Sequence, residues 1–388
     1  MGFTLKGVKL QMPVYKDNKR GTWYWILNYK NEYGERKQKK ARGFKTKKEA
    51  TEELRKIEVE IIQGTYIEPS KILFKNYMED WFSLKKMSIS NQTIKLYEYG
   101  LANHILPSLG SIPLSNLKSI HIQKMIAEMH KKELAGSTIR RIFNIVNTCL
   151  NYAVKVGDVP KNVAQQIDRP KVSKKELKIW DIDQIKKFLN IAKEDRLYCA
   201  FYLAIMTGLR QGEILGLQWK YIDFHNRTLF VRQILEHDGK RLKKGAKTDS
   251  SIRTIALSPS TIKVLKEHYQ KMQREKEQFI GDGNALFNHH DLVICSNVGT
   301  PLNPRNLVRT FNRLIQKADL PKIRFHDLRH SHASLMIYQN EPIKLIAERM
   351  GHSKITTTMD TYGHLLPNMQ RNASDKLDDT LFGPSKEG

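Results

Sequence analysis

The 388-residue chain is predicted to be a multidomain α+β protein. The expected order is a small three-stranded sheet with one helix, a compact helical domain, and a larger, mainly α domain carrying a β-hairpin or small sheet. Three observations predict this. The length exceeds what one ordinary hydrophobic core spans. Apolar and aromatic residues alternate with a period of two near the N-terminus, then recur at helical spacing from about residue 67. A polar stretch with a proline and a run of lysines, "QQIDRPKVSKKELKIW" (165–180), separates that helical region from a mixed one.

The elements follow in order. "GTWYWILNY" (21–29) is aromatic and alternating, "NEYG" (31–34) is a turn, and "ERKQKKARGF" (35–44) returns as a basic strand. "TKKE" (46–49) has the form of a capping box. It precedes Ala50, Leu54, Ile57 and Ile61 at helical spacing, with Gly64 as a stop. Phe74, Tyr77, Trp81 and Leu84 make one amphipathic face, and Ile122, Ile126 and Met129 another. Ile139, Ile142, Val146, Cys149 and Ala153 make a third, with Ser137 expected as its N-cap. Such stripes are core faces of short helices that turn Lys and Arg outward. The last region reads as helices near 181–193 and 195–206, strands "TLFVRQIL" (228–235) and "IRTIAL" (252–257), then helices. The expected boundaries are 1–66, 67–168, a linker at 169–180, and 181–388.

Lys and Arg number 66 against 40 acidic residues, a formal charge of +26 and a pI near 9.8. An excess of that size points to a polyanion, most simply nucleic acid. Residues 35–49 hold eight of the cations against two Glu, beside aromatic side chains. A basic ribbon of this kind suits a DNA groove. Trp23, Lys37, Lys39, Lys40 and Arg42 are the predicted contacts there, with Arg140 and Arg141 on the helical domain. The three cysteines, Cys149, Cys199 and Cys295, match neither a disulfide framework nor a zinc pattern and read as buried thiols of a reducing compartment. No segment has the apolar core of a signal peptide or approaches ~20 apolar residues. The expectation is a protein neither secreted nor membrane-spanning.

Four separated pieces of the last region stand out together. "TGLRQGEILGL" (207–217) presents Arg210 at a glycine-marked helix junction with Glu213 one turn on. "KKGAKTDSSIRTIAL" (243–257) puts Lys247 in a tight polar turn, where Lys243 and Lys244 compete with it for the same role. "HDLRHSHAS" (326–334) gives His326 and Arg329, and "MGHSKITTTMDTYGHL" (350–365) gives His352 and Tyr362. His326 and His330, four apart, have the spacing of paired zinc ligands, but no Glu follows His326 and no cysteine converges. His326 and Arg329, three apart, share a helix side, and a guanidinium can grip two phosphate oxygens through its planar fork. The phosphate reading is preferred and no metal is expected. His330 and His332 are read as structural, His364 is left unassigned, and Glu213 is expected to orient a clamp residue or to pack locally. Asp327 is expected to cap a helix or to brace Arg329.

With these residues the chain resembles the tyrosine recombinases, the integrases of phages and integrative elements, in the lambda-like form with an N-terminal arm-binding domain. The family signature is Arg, Lys, His-x-x-Arg, His or Trp, then Tyr, in that order. Here "TGLRQGEI" resembles its first-arginine motif, "AKTDSSIRTIAL" its β-hairpin motif, and "HDLRHSHAS" its His-x-x-Arg box, while "MGHS" and "DTYGHL" supply the last two positions. The resemblance covers residues 178–366. Less sharply, residues 67–168 resemble the family's helical core-binding domain and residues 1–64 its small arm-binding domain.

The resemblance implies a site-specific DNA recombinase that needs no cofactor. Tyr362 attacks the scissile phosphate, giving a 3′-phosphotyrosine and a free 5′-hydroxyl. Arg210 and Arg329 neutralise the phosphate oxygens, an electrostatic task that requires no metal. Lys247 protonates the leaving 5′-oxygen, His326 takes or shares the tyrosine proton, and His352 hydrogen-bonds the phosphate. The phosphotyrosine stores the bond, so rejoining requires no ATP. The implied partners are double-stranded DNA at core-type and arm-type attachment sites, further copies in a homotetramer on synapsed DNA, an excisionase and a host DNA-bending protein, in the cytoplasm of a bacterial host. Two other readings use the same residues: a type IB topoisomerase-like nicking and resealing enzyme, and a catalytically inert DNA-binding regulator. A nicked suicide DNA duplex separates enzyme from binder by the presence of a covalent adduct.

Overall fold

The computed structural model describes residues 14–30, 35–62, 66, 71–172, 178–245, 252–281, 290–363, 374 and 377–383. The chain divides into two compact units, Met1–Lys174 and Lys175–Gly388.

The first unit opens with an antiparallel sheet in the order β1 (Val14–Asp17), β2 (Thr22–Lys30), β3 (Arg36–Phe44), followed by helix α1 (Lys47–Ile62). The predicted capping box forms: Glu49 N–H donates to Thr46 Oγ1 (3.2 Å) and Thr46 N–H to Glu49 Oε2 (3.3 Å). Alternation along β2 sends Trp25 and Leu27 to one face, where Ala50 and Leu54 of α1 cover them. The expected helix stop, Gly64, lies outside the described residues. Register divides the predicted DNA contacts. Tyr24 pairs with Arg42 and Ile26 with Lys40, so these point away from the Trp25 face. Lys39 pairs with Leu27 and Lys37 with Tyr29, one residue out of phase. The predicted contacts Lys37 and Lys39 therefore lie on the opposite side of the sheet from Lys40 and Arg42, because neighbouring strand residues face opposite sides. Trp23 lies on the Trp25 side and is partly buried. A register irregularity at Trp23/Tyr24 lets it pair with Phe44 and pack against the Trp25–Leu54 cluster.

The helices of this unit are α2 (Phe74–Lys86), α3 (Asn91–Gly100), α4 (Leu106–Leu109), α5 (Ser119–Lys131) and α6 (Gly136–Lys155), with a π-helical turn at Leu101–Ile105. The core stripe of α2 is Phe74, Met78, Trp81 and Phe82, while Leu84, expected inside, is 55 % exposed. On α5 the buried set is Ile122, Met125 and Met129, and Ile126 is only partly covered. All five predicted α6 residues are buried. Its N-cap is Ala135, not Ser137: the helix starts early, where the Lys171 carbonyl would sit 2.6 Å from any Cβ on Gly136. Of the two predicted arginines on α6, Arg141 is exposed, whereas Arg140 turns its Nε–H onto the Pro170 carbonyl at 2.7 Å.

The second unit contains α7 (Ile182–Ala192), α8 (Tyr198–Thr207), α9 (Gln211–Leu215), β4 (Ile222–Asp223), β5 (Thr228–Val231), β6 (Gln233–Leu235), β7 (Leu242–Lys244), β8 (Arg253–Ala256), α10 (Pro259–Gly281), α11 (Pro304–Lys317), α12 (Asp327–Tyr338), α13 (Ile343–Met350) and α14 (Ile355–Tyr362). Strands β4, β5 and β8 form one small sheet and β6–β7 a hairpin. The single strand expected at 228–235 is thus broken at Arg232. Trp180, expected in the linker, is instead a core residue. Its ring lies 5.0 Å from Phe188 and 5.8 Å from Phe311, and its indole N–H donates to the Pro321 carbonyl. The three cysteines are buried and unpaired. Among the described residues no helix is long and apolar enough to cross a membrane.

Candidate active site

Helix α8 ends on Gly208 in the left-handed conformation (φ 64°), and a Cβ there would come within 2.6 Å of the His332 ring. The turn delivers Arg210 to the N-cap of α9. Arg210 donates its backbone N–H to Glu213 Oε2 (2.8 Å) and a guanidinium N–H to Oε1 (2.8 Å). The same two oxygens accept Arg253, Oε1 from Nη1 at 3.0 Å and Oε2 from Nη2 at 2.9 Å. Burial alone would push the Glu213 carboxyl up. The Arg253 hydrogen bonds, with the charges of Arg253 and Arg210, override it and hold the group at about 2. Glu213 is therefore a buried, ionised clamp, in line with the orienting role expected for it.

Helix α12 carries the second group. Arg329 is almost wholly buried and donates Nη1–H to the Gly208 carbonyl (2.5 Å) and Nη2–H to the Met350 carbonyl. His326 stands at the N-cap, its ring 5.1 Å from that of His330. Burial, then the nearby His330 and Arg329, lower His326 to about 4, so it is neutral at pH 7. Asp327 does not brace Arg329; it accepts Arg324, with the closest contact at 2.7 Å. His332 is structural, as expected: its Nδ1 pairs with the Ile205 carbonyl (2.8 Å), and Nε2 faces Arg349 Nε (3.3 Å).

The two groups meet at the C-terminal end of α13. Three consecutive carbonyls there each take a different guanidinium: Arg349 O takes Arg253 Nε (2.8 Å), Met350 O takes Arg329, and Gly351 O takes Arg210 (3.0 Å). A helix C-terminus carries unpaired carbonyls and a partial negative charge, so cations belong at it. His352 follows directly, its Nδ1 on Thr358 Oγ1 (2.8 Å). Burial, then the charges of Arg329 and Arg210, lower it to about 4.

Tyr362, the last residue of α14, is 1 % exposed and packs with Ala333, Ile337, Ile346 and Met350. Burial pushes its phenol up, and Arg329 opposes that push. Its hydroxyl is 2.5 Å from His330 Nδ1. The reading of His330 as structural is corrected here: the imidazole touching the tyrosine oxygen is His330, not His326. Burial lowers His330 as well, so it faces the hydroxyl as a neutral ring.

The structure brings Arg210, His326, Arg329, His352 and Tyr362 together. Lys247 and His364 lie outside the described residues. Sequence reasoning missed Arg253 and the contact of His330. The second carried a signal, since His330 sits one helical turn from His326; the first carried none.

A tyrosine hydroxyl thus stands beside a neutral imidazole, within the field of the Arg329 guanidinium, while Arg329 and Arg210 meet at the end of α13. Residues 178–369 match the phage integrase family, residues 13–61 an arm DNA-binding domain, and residues 73–130 the phage integrase N-terminal SAM-like domain. The chain is 31% identical to the "tyrosine recombinase XerC-like" protein of Caldanaerobacter subterraneus subsp. tengcongensis, over 87% of this chain and 91% of that one. Its fold is similar to the Tn1549 transposon integrase solved with transposon right end DNA (TM-score 0.65, 22% identity, 79% of this chain and 99% of that one). It is also similar to the lambda integrase tetramer solved on a Holliday junction (TM-score 0.56, 19% identity, 88% and 96%). The chain belongs to the phage integrase family, and it is a tyrosine recombinase.

Proposed function

We propose that the chain integrates, and by the reverse reaction excises, a phage or integrative element, using Tyr362 as nucleophile. The observation that carries this is the Tyr362 hydroxyl at 2.5 Å from His330, on the helix that also presents Arg329. The tyrosine Oη bonds to phosphorus as its proton passes to a neutral imidazole, His330 by contact or His326 beside it. The phosphorus–O5′ bond breaks, and Lys247, by the family resemblance, protonates the leaving oxygen. A guanidinium has five donors in a planar fork. The carbonyl bonds of Arg210 and Arg329 therefore still leave N–H groups for phosphate oxygens.

DNA binding follows from the charge of +26 and from the sheet face that carries Lys40 and Arg42 around Tyr24. Arg141 on α6 is the corresponding exposed cation of the helical region, and the segments 1–66, 67–168 and 181–388 are the working domains of this reading. The likeness to a tetrameric integrase on a junction supports four copies acting on two synapsed duplexes. The test is recombination in vitro between two duplexes built from the DNA junctions flanking the gene, with EDTA present and no ATP. Exchange of flanks supports the reading; nicking and resealing without exchange would favour the topoisomerase-like alternative.

A further inference from the structure

We infer that Arg253 is a positioning residue of the recombination site, acting through Glu213 and the end of α13 to hold Arg210 and His352 where the phosphate is bound. The inference rests on the recombinase reading above. Arg253 opens β8, and its side chain is only 7 % exposed. It spans two structures at once. Its forked Nη1 and Nη2 take both oxygens of Glu213, and its Nε takes the Arg349 carbonyl. Glu213 in turn holds the backbone N–H and the guanidinium of Arg210, so the order of contact is Arg253, Glu213, Arg210. The next carbonyl but one, Gly351 O, is taken by Arg210 itself, which closes a ring of contacts around the α13 terminus.

Gly351 belongs to that ring. Its φ is 64°, and a Cβ on it would lie 2.9 Å from Arg253 Nη1 and 3.1 Å from Cζ. The guanidinium thus packs directly against the glycine of "MGHS", one residue before His352. A lysine in place of Arg253 offers a point charge on a flexible stem. It cannot fill both Glu213 oxygens and the Arg349 carbonyl together. The charged groups facing Glu213 are Arg210 from its own helix start, Arg253 from β8 and Arg329 from α12.

The experiment measures single-turnover covalent adduct formation by full-length protein on a nicked duplex carrying the gene-flanking junction, at pH 4.5 to 9. The variants are Arg253→Lys, Glu213→Gln, the double variant and Gly351→Ala. Arg253→Lys should lower the rate about 10²-fold, the scale of a small misplacement of a catalytic group, with DNA affinity within a few fold of wild type. Its acid limb should move toward neutrality, because Glu213 loses the Arg253 hydrogen bonds, the foremost of the interactions that oppose its burial. The double variant should lose no more than the worse single one, since both changes break the same contact. Gly351→Ala, which presses a methyl on the same guanidinium, should shift the limb in the same direction. Additive losses, or a wild-type pH profile in Arg253→Lys, would overturn the positioning role. A wild-type protein that binds the duplex but forms no adduct would instead overturn the recombinase reading on which it stands.

Discussion

At the scale of residues, the contact between Tyr362 and His330 decides most. The tyrosine is sealed in a small apolar cluster, which raises its pKa and makes a proton acceptor necessary. Replacing His330 by Ala should slow adduct formation about 10²–10⁴-fold, the usual contribution of a positioned base, while filter binding to the same DNA stays within a few fold. Burial lowers the His330 pKa, so the acceptor stays neutral to a lower pH than an ordinary imidazole would. The cleavage rate should therefore hold from pH 8 to 7, and a fall between those values would contradict the assignment. Stability should also depend on pH, through His332. Its folded pKa, lowered by burial to about 4, lies below an unfolded value of about 6.5. Between those values the unfolded chain binds a proton that the folded one does not. Its contribution is complete above the unfolded value and is lost as pH falls toward the folded one, with a slope of up to about 1.4 kcal/mol per pH unit. His326 and His352, also lowered to about 4, add slopes of the same sign. Stability measured by urea unfolding should therefore fall steadily from pH 8 to 5, and His332→Asn should reduce the slope.

At the scale of elements, the end of α13 is where the candidate site is assembled, because three arginines from the start of α9, β8 and α12 each take one of the carbonyls there. The glycines at the two helix ends make the close approaches possible. Gly208→Ala should cost at least about 1–2 kcal/mol from the left-handed backbone alone, and more because its methyl would meet the His332 ring. Thermal unfolding checks this, and an unchanged melting temperature would show that the turn relaxes. Much of this level was legible in the sequence. The aromatic strand, the Thr46–Glu49 box and the α6 stripe declared themselves because their causes are local. Leu84, Ser137 and Trp180 misled because burial and capping there depend on distant partners, such as the Lys171 carbonyl beside Gly136 and the Pro321 carbonyl on the Trp180 indole. The candidate site was legible as a set of residues through their order along the chain. Arg253 was not, since its meaning lies in a bond to Glu213, 40 residues away.

At the scale of the whole molecule, charge and register together say which surface should meet a second DNA segment. Reversing Lys40 and Arg42 to Glu should remove any footprint owed to residues 1–64 and leave covalent cleavage of a short core duplex intact. Reversing Lys37 and Lys39, on the side covered by α1, should weaken that footprint less. Linked binding on two segments gains avidity, and each phosphate contact adds about 0.9 to the salt slope, so the first pair of changes should also flatten the salt dependence. Footprints identical to wild type for both pairs would show that the basic sheet is only a solvated face. The expectations for cleavage depend on one proposed bond, between Tyr362 and DNA. The direct measurement is to trap the wild-type protein on the nicked junction duplex in EDTA, digest the complex, and locate the nucleotide-bearing peptide by mass spectrometry. A 3′-phosphate ester on Tyr362, absent in Tyr362→Phe while DNA binding persists, is the predicted result. An adduct on another residue, or an adduct that survives in Tyr362→Phe, would contradict the account.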